Sequence, residues 1–88
     1  MAGTTANVVL ISEKEIYCVN SGDSRSVLCR GGKAVGLSED HKPGNPGELK
    51  RIENAGHMVE DDRVDGNLAL SRAIGDFQYK DNEKLKPE

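Results

Sequence analysis

Thr5-Ala6-Asn7-Val8-Val9-Leu10-Ile11 and Glu15-Ile16-Tyr17-Cys18-Val19-Asn20, separated by the polar Ser12-Glu13-Lys14, decide how this chain folds. Both runs are rich in β-branched side chains and flank a short polar connection, which is the pattern of a β-hairpin. Their apolar residues are consecutive rather than alternating, which predicts strands covered on both faces by further layers of protein. A third run, Ser26-Val27-Leu28-Cys29-Arg30, follows the Gly22-Asp23 turn, and Gly31-Gly32 leads into a fourth, Lys33-Ala34-Val35-Gly36-Leu37. The first half therefore reads as an antiparallel β-meander.

One helix is expected, from Pro46 to Asn54. Asn45 stands at the N-cap, Pro46 at the first helical position, Glu48 in the first turn and Gly56 just past the end. Leu49 and Ile52, three apart, share its apolar face. Beyond it, His57-Met58-Val59-Glu60 reads as a short strand and Asp61-Asp62 as a turn into Arg63-Val64. Asp65-Gly66 reads as a second turn, into Leu68 to Ile74. The polar stretch from Asp81 to Glu88 is expected to fray. No repeat, linker or low-complexity tract divides residues 1–88, so one continuous unit is expected.

A length of 88 residues limits the chain to one small domain or a piece of one, because short chains bury proportionally little surface. Aromatic residues make up only 3%, so any core rests on Val, Ile and Leu. The net charge of −3 comes from acids and bases mixed along the chain. That leaves no basic footprint for nucleic acid and no polybasic stripe for anionic lipid, and neither partner is assigned. The longest apolar run, Val8 to Ile11, is far too short to span a bilayer, and no basic-then-apolar leader is present, so no membrane partner is expected either. Cys18 and Cys29 lie in strand-like runs without a Cys-x-x-Cys or Cys/His cluster, which gives zinc no support. Reduced, buried thiols are the expected reading and suit a cytoplasmic or nuclear setting; a disulfide between neighbouring strands is the alternative.

Three blocks carry the candidate chemistry: Gly22-Asp23-Ser24-Arg25, Leu37-Ser38-Glu39-Asp40-His41-Lys42-Pro43, and Leu68-Ala69-Leu70-Ser71-Arg72-Ala73-Ile74-Gly75-Asp76. In the first, glycine permits a tight backbone while Asp23 projects a hard oxygen from the end of the sheet, which suits Mg²⁺ or Mn²⁺; an aspartate bonding its own turn is the competing reading. Asp61, Asp62 and Asp65 cluster around Arg63 on turns, where solvated acids are the ordinary case, and they receive no site. His41 has a residue type whose unperturbed pKa of about 6.5 suits proton transfer. Ser71 has neither an activating base nor an oxyanion hole beside it in sequence, so no nucleophile is assigned.

At this order and spacing the three blocks, with the intervening Glu48-x-x-Arg51-Ile52-x-Asn54-Ala55-Gly56, resemble the middle of a metal-dependent serine/threonine protein phosphatase of type 2C. The resemblance implies an α+β fold, with an antiparallel β-meander, one helix and a flap forming part of a four-layer αββα sandwich. It implies an enzyme that hydrolyses phosphoserine and phosphothreonine in phosphoprotein substrates, using water activated by a Mg²⁺ or Mn²⁺ pair. Asp23 then becomes a ligand of an additional, weakly bound metal. Arg63 lies on the flap beside the cleft, where it faces the phosphosubstrate or, alternatively, forms a salt bridge with its acidic neighbours. His41 is structural under this resemblance, Ser71-Arg72 returns the chain to the core with Arg72 and Asp76 as pairing partners, and His57 replaces a glycine common in relatives.

The aspartates that hold the main metal pair in that family, in an Asp-Gly-His-Gly type motif and in Asp-Gly and Asp-Asn motifs, do not occur within residues 1–88. The chain is accordingly expected to be the central portion of a catalytic domain, with no catalytic residue of its own, no tightly bound metal and no activity in isolation. Its uncovered strands are expected to make the isolated chain a homo-oligomer, with strand exchange as one route. A non-catalytic binding or regulatory module on the same scaffold is the alternative function.

Overall fold

The computed structural model describes residues 2–81 and Lys86, so most of the expected fraying tail, 82–85 and 87–88, lies outside the described residues. The chain runs β1 (Gly3–Thr4), β2 (Ala6–Ile11), β3 (Ile16–Ser21), β4 (Val27–Arg30), β5 (Lys33–Gly36), α1 (Pro46–Asn54), β6 (Val59–Glu60), β7 (Arg63–Val64), β8 (Ile74–Gly75) and a 3-10 helix (Phe77–Tyr79). The α+β class read from the sequence is the one observed.

Strands β2 and β3 pair antiparallel from Ala6↔Ser21 to Ile11↔Ile16, closed by a turn in which the Ser12 amide donates to the Glu15 carbonyl at 2.9 Å. The register places Val8 against Val19 and Leu10 against Tyr17, with Val9 against Cys18 and Ile11 against Ile16 at the alternating positions. Val8 is 60% exposed, Leu10 63%, Val19 69% and Ile11 74%, so among the described residues both faces of the hairpin lack the cover that the continuous apolar pattern calls for.

The four strands do not form the single meander expected. β4 pairs only with β5, through Gly31-Gly32, and the strands stand as separate two-stranded ladders. The break lies at Gly22: its amide donates to Nδ1 of His41 at 3.0 Å and its carbonyl accepts the His41 amide at 2.8 Å, so the β3 ladder ends there. Polar side chains join the hairpins instead. The Asn7 amide donates to Oδ1 of Asn20 at 3.0 Å and to Oγ of Ser38 at 3.2 Å, the Ser26 hydroxyl meets Oδ1 of Asn7, and the Asn20 amide donates to the Glu39 carbonyl at 3.0 Å.

Helix α1 has the expected bounds. Asn45 occupies the N-cap with an extended backbone, but its side chain makes no capping bond and donates to the Asp40 carbonyl at 2.8 Å, tying the helix start to the second motif block. At the other end the Gly56 amide reaches the Glu53 carbonyl at 3.0 Å and the His57 amide reaches the Ile52 carbonyl at 3.1 Å, the two bonds of a Schellman motif. Gly56 takes φ 91°, a conformation that favours glycine. The expected apolar face forms around Ile52, which is 5% exposed, as is Val64 of β7.

The flap is the β6–β7 hairpin, with Glu60 opposite Arg63, followed by a bridge from Val64 to Leu68. Leu68 to Ile74 is otherwise irregular; only Ile74–Gly75 pairs, against β1, with Gly3↔Gly75 and Thr4↔Ile74.

The position least tolerant of change is Gly22. It is buried at φ 117°, and a Cβ there would stand 2.4 Å from Cγ2 of Thr5. Gly22→Ala is expected to destabilise the chain by about 2–4 kcal/mol, from backbone strain plus the steric clash, measured by denaturant unfolding. Thr5→Ala introduced alongside should recover only part of the steric share, because it removes Cγ2 but leaves Cβ of residue 5 at 2.7 Å.

Candidate functional site

The three motif blocks, far apart in sequence, meet at the end of β3. The first two interlock residue by residue. Gly22 and His41 exchange the two bonds described above. The Lys42 ammonium donates to Oδ2 of Asp23 at 2.6 Å, and the Arg25 guanidinium forks onto Asp40 with bonds of 2.8 and 2.7 Å. The third block joins through backbone: the Ser71 amide donates to the His41 carbonyl at 3.0 Å, and the Lys42 ammonium lies 3.5 Å from the Ala69 carbonyl. The hydrogen bond to Asp23 holds the Lys42 ammonium above its ordinary pKa, and the Arg25 fork holds the Asp40 carboxyl below its own.

A second polar centre ties α1 to the third block. Glu48 accepts from Arg51 at 2.8 Å and from both Nε and Nη2 of Arg72, while Arg51 also donates to the Ser71 carbonyl at 2.6 Å. Burial opposes charge on Glu48, but the hydrogen bonds from Arg51 and Arg72 outweigh it and bring the carboxyl down to about 2. The expected Arg72–Asp76 pair is therefore corrected: Arg72 turns to Glu48 on the helix, where a half-buried carboxylate already awaits a second cation. Asp76 instead sits in a left-handed conformation at the start of the 3-10 helix and donates its amide to the Ala2 carbonyl at 3.1 Å.

On the flap, Arg63 is exposed and its Nη1 donates to the Asn67 carbonyl at 2.8 Å. The salt bridge expected as the alternative for it is absent among the described residues, and two of the neighbouring acids, Asp62 and Asp65, have other partners. Oδ1 of Asp62 accepts the Gly44 amide at 2.7 Å, docking the flap turn on the loop before α1. Asp65 takes the Met58 amide at 3.1 Å and Nδ1 of His57 at 2.7 Å, and these two bonds lower its pKa. A cavity of about 400 Å³ lies behind the flap, lined by Ile52, His57, Val64, Leu70, Ser71 and Tyr79 among others. The Asp65–His57 and Asp62–Gly44 contacts had no sequence signal beyond the acidity of the turns.

The chemistry of the donor set can be tested against a divalent ion. Mg²⁺ and Mn²⁺ take about six oxygen ligands. Among the described residues no group of three or more His, Cys, Asp or Glu side chains is arranged to hold a metal. Asp23 offers a single carboxylate, one oxygen of which is bonded by an ammonium that would repel a cation. The residues present do not fit such an ion without further ligands. The cysteines are free rather than bridged, and Cys29 is exposed rather than buried because nothing described packs over the β4–β5 hairpin.

A sequence-family profile described as Protein phosphatase 2C matches residues 1–88. The chain is 57% identical over 88 residues to Probable protein phosphatase 2C 6 of Paramecium tetraurelia, covering 100% of this chain and 30% of that protein. It is 55% identical over 84 residues to Protein phosphatase ppm-1.G of Caenorhabditis elegans, covering 96% of this chain and 17% of that protein. Among solved structures, a phosphatase from a pathogenic strain of Toxoplasma gondii superposes with a TM-score of 0.78 at 51% identity, over 83% of this chain and 23% of the other. The chain thus spans less than a third of the length of these relatives.

The Glu48 centre makes a pH-dependent prediction. Its folded pKa of about 2 lies below the ordinary 4.5, so its contribution is complete above about 4.5 and is lost as pH falls toward about 2. Glu48→Gln should flatten the stability profile across that window, read by thermal unfolding at stepped pH. At neutral pH Glu48→Ala should cost about 1–2 kcal/mol, allowing for partial solvent screening.

Proposed function

Because the chain belongs to the protein phosphatase 2C family, we propose that it forms the central portion of a domain that hydrolyses phosphoserine and phosphothreonine in proteins, with Mg²⁺ or Mn²⁺ supplying activated water. The observation that carries this reading is the convergence of all three motif blocks on one end of β3, in a chain matched to this family along its whole length. In this proposal residues 1–88 frame the cleft rather than perform the hydrolysis.

Asp23 stands at the cleft end of the sheet as an outlying metal ligand, and Lys42 is its counter-ion when no metal is bound. Arg63, exposed on the flap, faces the phosphate of the substrate, where a planar guanidinium matches phosphate geometry. Asp62 holds the flap against the Gly44 loop so that Arg63 is presented from a defined position. One observation favours the alternative of a binding or regulatory scaffold, namely that the only assigned ligand is already neutralised by Lys42.

The reading is tested by assaying a domain that contains this stretch for Mn²⁺-dependent phosphate release from a phosphothreonine peptide. Turnover supports the phosphatase reading, and its absence from a folded domain supports the scaffold. Within an active domain Arg63→Ala should raise KM roughly tenfold with a smaller change in kcat, as expected for loss of a charged substrate contact. The 88-residue chain alone should show no turnover. With Val8, Leu10, Ile11 and Val19 exposed, it should run as a dimer or larger species, and a monomeric mass by light scattering would refute that association.

A further inference from the structure

We infer that His41 is a positioning residue for the Gly22-Asp23 turn, acting as the Nε2–H tautomer with the lone pair of Nδ1 turned to the Gly22 amide. A backbone amide can only donate, so the 3.0 Å bond from Gly22 requires an unprotonated Nδ1. The same residue engages the turn a second time, its own amide donating to the Gly22 carbonyl at 2.8 Å, and its carbonyl accepts the Ser71 amide at 3.0 Å. One histidine therefore links the end of β3, the second motif block and the third.

Gly22 cannot hold this place by itself. It is buried, it lies where the β3 ladder has ended, and no other acceptor for its amide is present among the described residues. Its carbonyl is also anchored by the Asn20 side-chain amide at 3.1 Å, so the peptide planes on both sides of Gly22 are fixed. The adjacent residues repeat the pairing, Asp23 with Lys42, so the imidazole sets the register in which carboxylate and ammonium meet. Removing the ring acceptor releases the turn that carries Asp23. The functional meaning of this placement rests on the reading of Asp23 as an outlying metal ligand; the placement itself does not.

Nitrogen-detected NMR on the isotope-labelled 88-residue chain, combined with amide hydrogen exchange, tests the inference. At neutral pH the His41 ring should show an unprotonated Nδ1 and a protonated Nε2, and the Gly22 amide should exchange slowly. His41→Asn places a side-chain oxygen where Nδ1 stood and should keep Gly22 protection within about threefold, whereas His41→Gln and His41→Leu should lose about tenfold or more, the loss expected when a buried donor has no acceptor. A ring protonated at Nδ1 overturns the proposal, as does an Asn variant no better protected than the Gln variant. If the Leu variant does not fold, the wild-type tautomer and the Asn-to-Gln comparison decide the matter. Mn²⁺ titration of a longer domain that contains this stretch and supplies further ligands reports separately: absence of line broadening at Asp23 there removes the ligand reading, while the tautomer and exchange results judge the role of His41.

Discussion

The pair of hydrogen bonds exchanged between Gly22 and His41 is the constraint around which the molecule is arranged. A β-strand that ends in a buried position leaves an amide and a carbonyl to be satisfied, and unpaired buried groups are rarely tolerated. His41 takes both. Because it does so, the ladder of β3 stops, β4 is free to pair elsewhere, and the two hairpins are joined by Asn7, Asn20, Ser26 and Ser38 rather than by a continuous sheet. The ion pairs Asp23–Lys42 and Arg25–Asp40 then extend the same register. Exposed pairs of this kind add little stability singly, so their main effect is to select one alignment of two loops.

Around that centre the apolar contribution is small. Ile52 and Val64 are the buried hydrophobic residues among those described, and Pro43 is the large side chain most completely enclosed. The polar centre at Glu48 carries the attachment of α1 to the third block, with two guanidinium groups on one carboxylate. The hairpin β2–β3, richest in Val, Ile and Leu, contributes no buried residue to the core because its faces are open. A longer domain would gain by packing on those faces, since burial of apolar surface is the largest favourable term in folding.

In the proposed function this stretch frames a site and does not perform its chemistry. It presents one hard oxygen, Asp23, and one exposed guanidinium, Arg63, from two loops that are held by short polar contacts and not by a common core. Such an arrangement gives each group a defined origin while leaving its tip accessible. Loops positioned by a scaffold are where binding groups commonly reside.

Local chemistry was enough to read several elements directly. The bounds of α1 follow from Pro46 and Gly56, the β2–β3 and β4–β5 hairpins from β-branched runs around polar and glycine turns, and the flap from paired acids between short strands. In each case the signal and the structure lie within a few residues of each other. The failures have the opposite character. Arg72 found Glu48 rather than Asp76, the Asn45 side chain bonded Asp40 although its backbone caps the helix as expected, Asp62 docked on Gly44 and β3 stopped short of β4. Those outcomes depend on which polar groups from distant segments reach the same half-buried space. Only the folded chain sets that competition, because each contact joins residues whose spacing in the sequence carries no record of it.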